Sequence, residues 1–285
     1  MSLDTAPPDR TGAAPSAGPV PEPALTPRAA AVRAFLALAE RDLWVMIHRD
    51  LAAFLAQSLL QPVFFLFVFG RVLPEIGAAG RGYGAQLLPG VVALTLLLTS
   101  LQATSFPLVI EFSFTKEIED RLLAPLPAAL VGVQKIVVAA IRGMIAALLI
   151  LPLGALILPG GLHLAGASWP GFAALVLSGA LVGAAMGLVL GTSVDAQRIN
   201  VVFAVVLTPL LFTGATFYPW QSLDHLQWFQ VATLANPLTY LSEGMRSALT
   251  AIPTLGAGWV ALGLGIALAL FGALGIRGFR RRAVD

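Results

Sequence analysis

Apolar residues fall in six long runs along this chain, at about residues 51–70, 87–110, 128–158, 170–191, 199–218 and 257–276. Each run is close to the ~20 residues that carry an α-helix across ~30 Å of hydrocarbon at ~1.5 Å per residue, so each predicts a transmembrane helix. The third is longer than one crossing needs, and its start, with Lys135 and Arg142, is expected to run along or below the membrane interface. Ahead of the first run, Val32, Phe35, Leu36, Ala39, Leu43, Met46 and Ile47 recur at helical spacing opposite Arg33, Glu40, Arg41 and His48. With Thr26 as cap and Pro27 at the first helical position, that pattern predicts an amphipathic helix on the membrane surface.

Between the second and third runs the pattern is interrupted by charge. Glu111 to Arg121 holds six charged residues in eleven, in a chain that is 11% charged overall. Phe114, Ile118, Leu122 and Leu123 fall on one helical face, Glu117 and Arg121 are spaced i, i+4, and Pro125 and Pro127 stop the helix. The prediction is a short helix with an apolar ridge and a charged rim, tied to a span at each end. Between the fifth and sixth runs, Asn236 caps and Pro237 starts a helix whose Leu238, Leu241, Met245 and Leu249 share a face, while Glu243 and Arg246 are spaced to pair. With Trp220, Trp228 and Phe229 this segment is expected to form a re-entrant hairpin that gates the far side, through Asn236, Pro237, Glu243 and Arg246.

Two polar stripes cross otherwise apolar helices. Thr95, Thr99 and Gln102 lie at i, i+4, i+7 in the second run, and Thr208, Phe212 and Thr216 at i, i+4, i+8 in the fifth, beside Pro209. Such faces suit an amphipathic ligand, because apolar walls with a few hydrogen-bonding groups accept one. The plainer reading is that each hydroxyl bonds its own helix backbone. Gly179, Gly183, Gly187 and Gly191 form a row of small residues in the fourth run, which predicts close packing of another helix; Ala261, Gly265, Ala269 and Ala273 in the sixth are the expected partner.

Composition agrees with this reading: 58% of the 285 residues are apolar, and mean hydropathy is +0.86. This is an all-α integral membrane protein. The formal net charge of +2 gives no reason to expect a nucleic-acid partner, and with no cysteine there is neither a disulfide nor a thiolate site. Position matters more than sum. With a cytoplasmic amino terminus, fourteen Lys and Arg residues fall inside and three (Arg71, Arg81, Arg246) outside, so both termini are expected in the cytoplasm and the protein in the cell membrane. Arg277 and Arg280 to Arg282 then anchor the last span to anionic headgroups. The chain divides into a Pro-, Ala- and Gly-rich tail at 1–26, expected to be disordered and unlike a secretory signal, the surface helix at 27–49, a six-span body at 50–277 and a basic tail at 278–285.

Several chemistries are excluded. The two lysines, Lys116 and Lys135, follow Thr115 and Gln134, so no Gly-x-x-x-x-Gly-Lys phosphate loop exists and ATP cannot be hydrolysed here by that route. The three histidines form no His-Glu-x-x-His pair, and no Gly-x-Ser-x-Gly elbow occurs. No carboxylate sits mid-span, which weighs against an ion-coupled carrier.

The segment EIEDRLLAPLP, Glu117 to Pro127, resembles the Glu-x-x-Leu-Leu-x-x-Pro pattern that follows the second span of ABC-2 type transport permeases, with Glu119, Leu122 and Leu123 in place and Pro125 one position early. ANPLTYLSEGMRSAL, from Ala235, resembles the motif before their last span, and the stretches from His48 and Thr213 are similar to their entry into span one and their external segment. Together these cover most of residues 40–250, with the daunorubicin-resistance type as the likeness. The resemblance implies a cytoplasmic coupling helix after span two, with Glu117, Glu119, Arg121 and Leu122 as contacts to an ATPase, and a path bounded by spans two and five. It further implies two permease chains, identical or different, over two ATPase subunits that hold ATP and Mg, with no cofactor on this chain. The expected function is export of a hydrophobic or amphipathic compound, drug or lipid-like. A polysaccharide or glycolipid exporter of the same fold, and an ion-coupled secondary carrier, are the alternatives.

Overall fold

The computed structural model describes residues 26–80, 82–115, 118, 126–159, 167–250 and 254–283, which are helical with no strand among them. Helix α1 (Pro27–His48) starts at Thr26, whose hydroxyl accepts the Ala29 N–H at 3.4 Å. Helix α2 (Leu51–Phe67) continues through a π turn (Val68–Val72) into Leu73–Glu75. Helix α3 (Tyr83–Ile110) ends in a second π turn, Glu111–Thr115. Then come α4 (Ala128–Ile157), α5 (Trp169–Ser193), α6 (Ile199–Thr213), the short α7 (Gln227–Thr233), α8 (Pro237–Leu249) and α9 (Ala257–Arg282).

Among the described residues, six stretches are long and apolar enough to cross a membrane: Leu51–Glu75, Tyr83–Thr115, Ala128–Ile157, Trp169–Ser193, Ala196–Thr213 and Ala257–Arg282. They coincide with the six predicted runs, except that α6 stops at Thr213 where a span to 218 was expected. Gly214 ends the helix and Ala215 takes a left-handed φ of 49°, so the chain turns away from the helix axis there.

Helix α3 is the centre, with 83% of its apolar stretch buried, against 17% for α2 and α6 and 22% for α9. The glycine row of α5 does pack closely, but on α3 and not on α9. A Cβ at Gly183 would lie 2.5 Å from the Leu97 carbonyl oxygen and one at Gly187 2.3 Å from that of Leu101. The row predicted as its partner, Ala261, Gly265, Ala269 and Ala273, faces outward, with open space at Gly265. Helix α9 meets the bundle on another face, with Gly275 against Leu188 and the buried Phe279 against Gly132.

The α1 stripe divides in two. Ala31, Ala34, Phe35 and Leu38 pack on the core and Met46 is buried, whereas Val32, Leu36 and Ile47 are exposed beside the charged face. One helix side is therefore spent on the protein and a neighbouring one remains apolar and open.

Candidate functional site

Polar side chains gather between α2 and α3. Thr95, Thr99 and Gln102 of α3 face Gln57, Ser58 and Gln61 of α2. The seam widens, toward the end of the bundle that carries α1, into a groove of about 260 Å³ with apolar walls from Met46, Phe54 and Phe106 and with Asp50 and Arg142 at its rim. Each helix also has a proline here. Pro62 has no N–H for the Ser58 carbonyl and Pro107 none for that of Ala103, and all four residues line the seam. Thr95 satisfies itself, donating to the Val91 carbonyl at 2.8 Å, as the plainer reading of the stripe has it. Gln102 and Thr99 line the groove itself.

Arg142 also lines a smaller cavity of about 90 Å³ with Asp42, Glu111 and Lys135. Lys135 and Glu111 form a buried ion pair joining α4 to the π turn that ends α3. Gln134, fully buried, donates to Asp42 of α1 at 3.0 Å, and Arg142 Nη2 donates to the Asp42 carbonyl at 3.3 Å. The start of α4 is thus drawn into the protein by polar partners from α1 and α3. Arg142 Nε is buried with no hydrogen-bond partner among the described residues, which leaves it donor capacity beside the groove.

At the junction of α3 with the following segment, two residues of the predicted ridge, Phe114 and Ile118, are described. Phe114 is 72% exposed and Ile118 is buried, and Leu122 and Leu123, which complete the ridge, lie outside the described residues. Glu117, Glu119, Arg121 and Leu122 lie outside the described residues.

The opposite end is held by a second buried pair, Glu243 and Arg246 of α8, both fully buried. Glu243 accepts the Trp220 N–H at 3.0 Å and the Leu255 N–H at 3.2 Å. Arg246 donates to the Ala215 carbonyl at 3.0 Å and to those of Thr216 and Gln86 at 3.5 Å. Burial pushes the Arg246 guanidinium down from its usual range, opposed by the charge and hydrogen bond of Glu243, and it remains charged. Asn236 caps α8 through Leu238 N–H at 2.9 Å and also donates to the Leu210 carbonyl and Thr213 hydroxyl, at 2.8 and 2.9 Å. Thr239 adds a bond to the Thr213 carbonyl at 3.1 Å. Asn236, Glu243 and Arg246 therefore hold the end of α6 and the segment beyond it, and Pro237 is buried at the start of α8. Trp220 and Gln230 close the short hairpin before α8 with bonds of 3.1 and 3.2 Å.

The stripe expected on the fifth span is not continuous. Thr208 and Phe212 are exposed on α6, but Thr216 lies beyond the helix end and is buried. None of the three lines the α2–α3 groove. Sequence reasoning passed over Gln57, Ser58, Gln61 and Asp42; the available signal was amides at i, i+4 inside an apolar run and a carboxylate on the face of α1 that the helical period turns inward.

Arg282 departs from its expected place among the anchoring arginines. It turns away from the other three arginines to cap α5, donating to the Gly191, Thr192 and Val194 carbonyls at 3.1–3.3 Å, with its guanidinium 4.9 Å from the Phe112 ring centre. Arg277, Arg280 and Arg281 stay exposed.

The sequence model of the ABC-2 type transporter family matches residues 33–250, from α1 to the last turn of α8. The inner membrane transport permease YadH of Escherichia coli strain K12 is 26% identical over 224 residues, covering 73% of this chain and 82% of that protein. YadH of Shigella flexneri matches with the same identity and coverage. The family match takes in the groove, the Asp42–Gln134 and Glu111–Lys135 contacts and the clamp on α6, and six apolar helices make the protein multi-pass: the chain belongs to the ABC-2 type transporters, as a membrane permease of an ABC transporter.

Proposed function

We propose that this permease is one half of an exporter that carries a hydrophobic or amphipathic compound outward, powered by ATP and Mg on a separate ATPase subunit present in two copies. Both termini are cytoplasmic on this reading, and α1 lies in the membrane surface with Val32, Leu36 and Ile47 toward lipid. The observation that carries the proposal is the α2–α3 groove, where apolar walls enclose Gln57, Ser58, Thr99 and Gln102. Such a lining accepts a largely apolar molecule bearing a few hydrogen-bonding groups. Its rim residue Arg142 also touches α1 and lines the cavity of the Glu111–Lys135 pair, so groove, surface helix and the start of the charged segment are in physical continuity. Gln57 and Gln61 are exposed on α2, and amides are poorly placed against hydrocarbon, which supports a second permease chain or a hydrated path on that face.

The test is reconstitution of the permease with its co-expressed ATPase in proteoliposomes. Changing Glu119 and Leu122 to alanine is expected to leave ATP hydrolysis running while transport falls by at least about tenfold, a coupling loss of about 1.4 kcal/mol. Unchanged coupling would remove the charged segment from its proposed role, and transport by the permease alone along an ion gradient would remove the ATPase from the mechanism. In the same system Gln102→Ala is expected to change half-maximal stimulation by hydrogen-bonding substrates about two- to tenfold, the worth of one hydrogen bond, and to leave purely apolar ones unchanged. An equal shift for every substrate would reassign Gln102 to packing.

A further inference from the structure

The turning-in of Arg282 leaves Arg277, Arg280 and Arg281 on one face of the last turns of α9, and across from them stands the first turn of α4. Between the two is a cleft of about 1130 Å³. Its walls have a polarity gradient. Ala273 and Ile276 of α9 lie up to eight residues nearer the bundle centre than Arg281, which is ~12 Å along a helix axis, and Pro127, Ala128 and Ala129 face them from α4.

Two features of this cleft point to a phosphate. The guanidiniums of Arg277, Arg280 and Arg281 are exposed and have no acidic partner among the described residues. The first turn of α4 has no acidic residue, and its cap, Pro127, makes no side-chain bond, so the positive end of a 30-residue helix adds to the field of the arginines. Guanidinium groups bind phosphate oxygens in a matching fork geometry. The apolar inner wall then decides the source of that phosphate, since Ala273 and Ile276 offer contact to hydrocarbon and none to a soluble ion.

We propose that the cleft between α4 and α9 is a discrete site for an anionic phospholipid of the leaflet at the basic end of the bundle, with the headgroup phosphate on Arg277, Arg280 and Arg281 and an acyl chain along Ala273 and Ile276. General attraction of basic residues to a membrane surface needs no cleft and no apolar wall; this site has both, and it excludes the adjacent Arg282.

The experiment uses the full chain purified in detergent, with dioleoylphosphatidylglycerol, dioleoylphosphatidylcholine and inorganic phosphate as separate probes, read by native mass spectrometry and by thermal stability. Phosphatidylglycerol is expected to be retained and to raise Tm, phosphatidylcholine to do neither, and phosphate alone to leave Tm unchanged. The triple change Arg277→Gln, Arg280→Gln, Arg281→Gln is expected to weaken phosphatidylglycerol retention by at least about tenfold. Ala273→Trp, at an exposed position, fills the apolar wall and is expected to weaken it with every arginine in place. Equal retention of the two lipids, stabilisation by phosphate alone, or displacement of the lipid by the ATPase subunit would each overturn the assignment. Neither transported compound nor nucleotide enters the measurement, so its failure leaves the export reading untouched.

Discussion

Replacing Arg246 by methionine is expected to destabilise the folded protein by about 3–5 kcal/mol, because it strands the Glu243 carboxylate in a site with no solvent access. Three carbonyls, of Gln86, Ala215 and Thr216, lose their common donor at the same time. These belong to the start of α3 and to the turn after α6, so the loss is felt at both. The double change Glu243→Leu with Arg246→Met removes both charges and is expected to recover part of the deficit, though not all, since Trp220 N–H and Leu255 N–H still lose their acceptor. Thermal unfolding in one detergent, followed by fluorescence-detected size exclusion, gives the comparison. If the single variant matched the parent in Tm, the pair would not be an organising contact.

The second large effect is expected at Gly187. A valine there would bring its Cβ to 2.3 Å from the backbone oxygen of Leu101 and 2.9 Å from the Thr104 Cβ. A backbone oxygen cannot swing aside as a side-chain tip can, so α3 and α5 would have to separate along their shared face. Overpacking in a well-filled core costs about 1–3 kcal/mol, and a collision with backbone belongs at or above the top of that range. Gly265→Ala is the matched control. It adds a methyl where there is open space and is expected to be neutral or to gain up to about 1 kcal/mol through helix propensity. Yield of folded protein and Tm of the two variants separate close packing from a general intolerance of glycine replacement.

The contrast between those two glycines also marks how far the sequence could be read. Apolar runs of the right length found all six spans, since length against hydrocarbon thickness is a local property. The Thr26–Pro27 and Asn236–Pro237 helix starts and the Glu243–Arg246 pairing were equally local, set by spacings of three or four residues. A row of glycines, by contrast, announces a close approach without naming the helix that approaches, and two spans offered small residues. Gln134 meets Asp42 across 92 positions, a distance at which periodicity carries no signal. The apolar run continues through Thr216, which puts it on the α6 stripe by periodicity, although Gly214 and the left-handed Ala215 end the helix first. Of the groove, the α3 side was legible as a polar stripe. The α2 side was harder to see, because Gln57 and Gln61 matter only once Thr99 and Gln102 stand opposite them.

The uneven burial of the spans has a mechanical meaning. Prising α5 from α3 would break a long interlocked contact, whereas α6 is secured at one extremity by Asn236 and Thr239 and along its shaft meets α3 through the stacked rings of Phe203 and Phe106, 4.5 Å apart. Within one subunit, the α3–α5 pair is therefore the stiff keel, and α6, held by Asn236 near Thr213 and by Phe203 near its start, is the span that parts from the bundle with the least loss of contact.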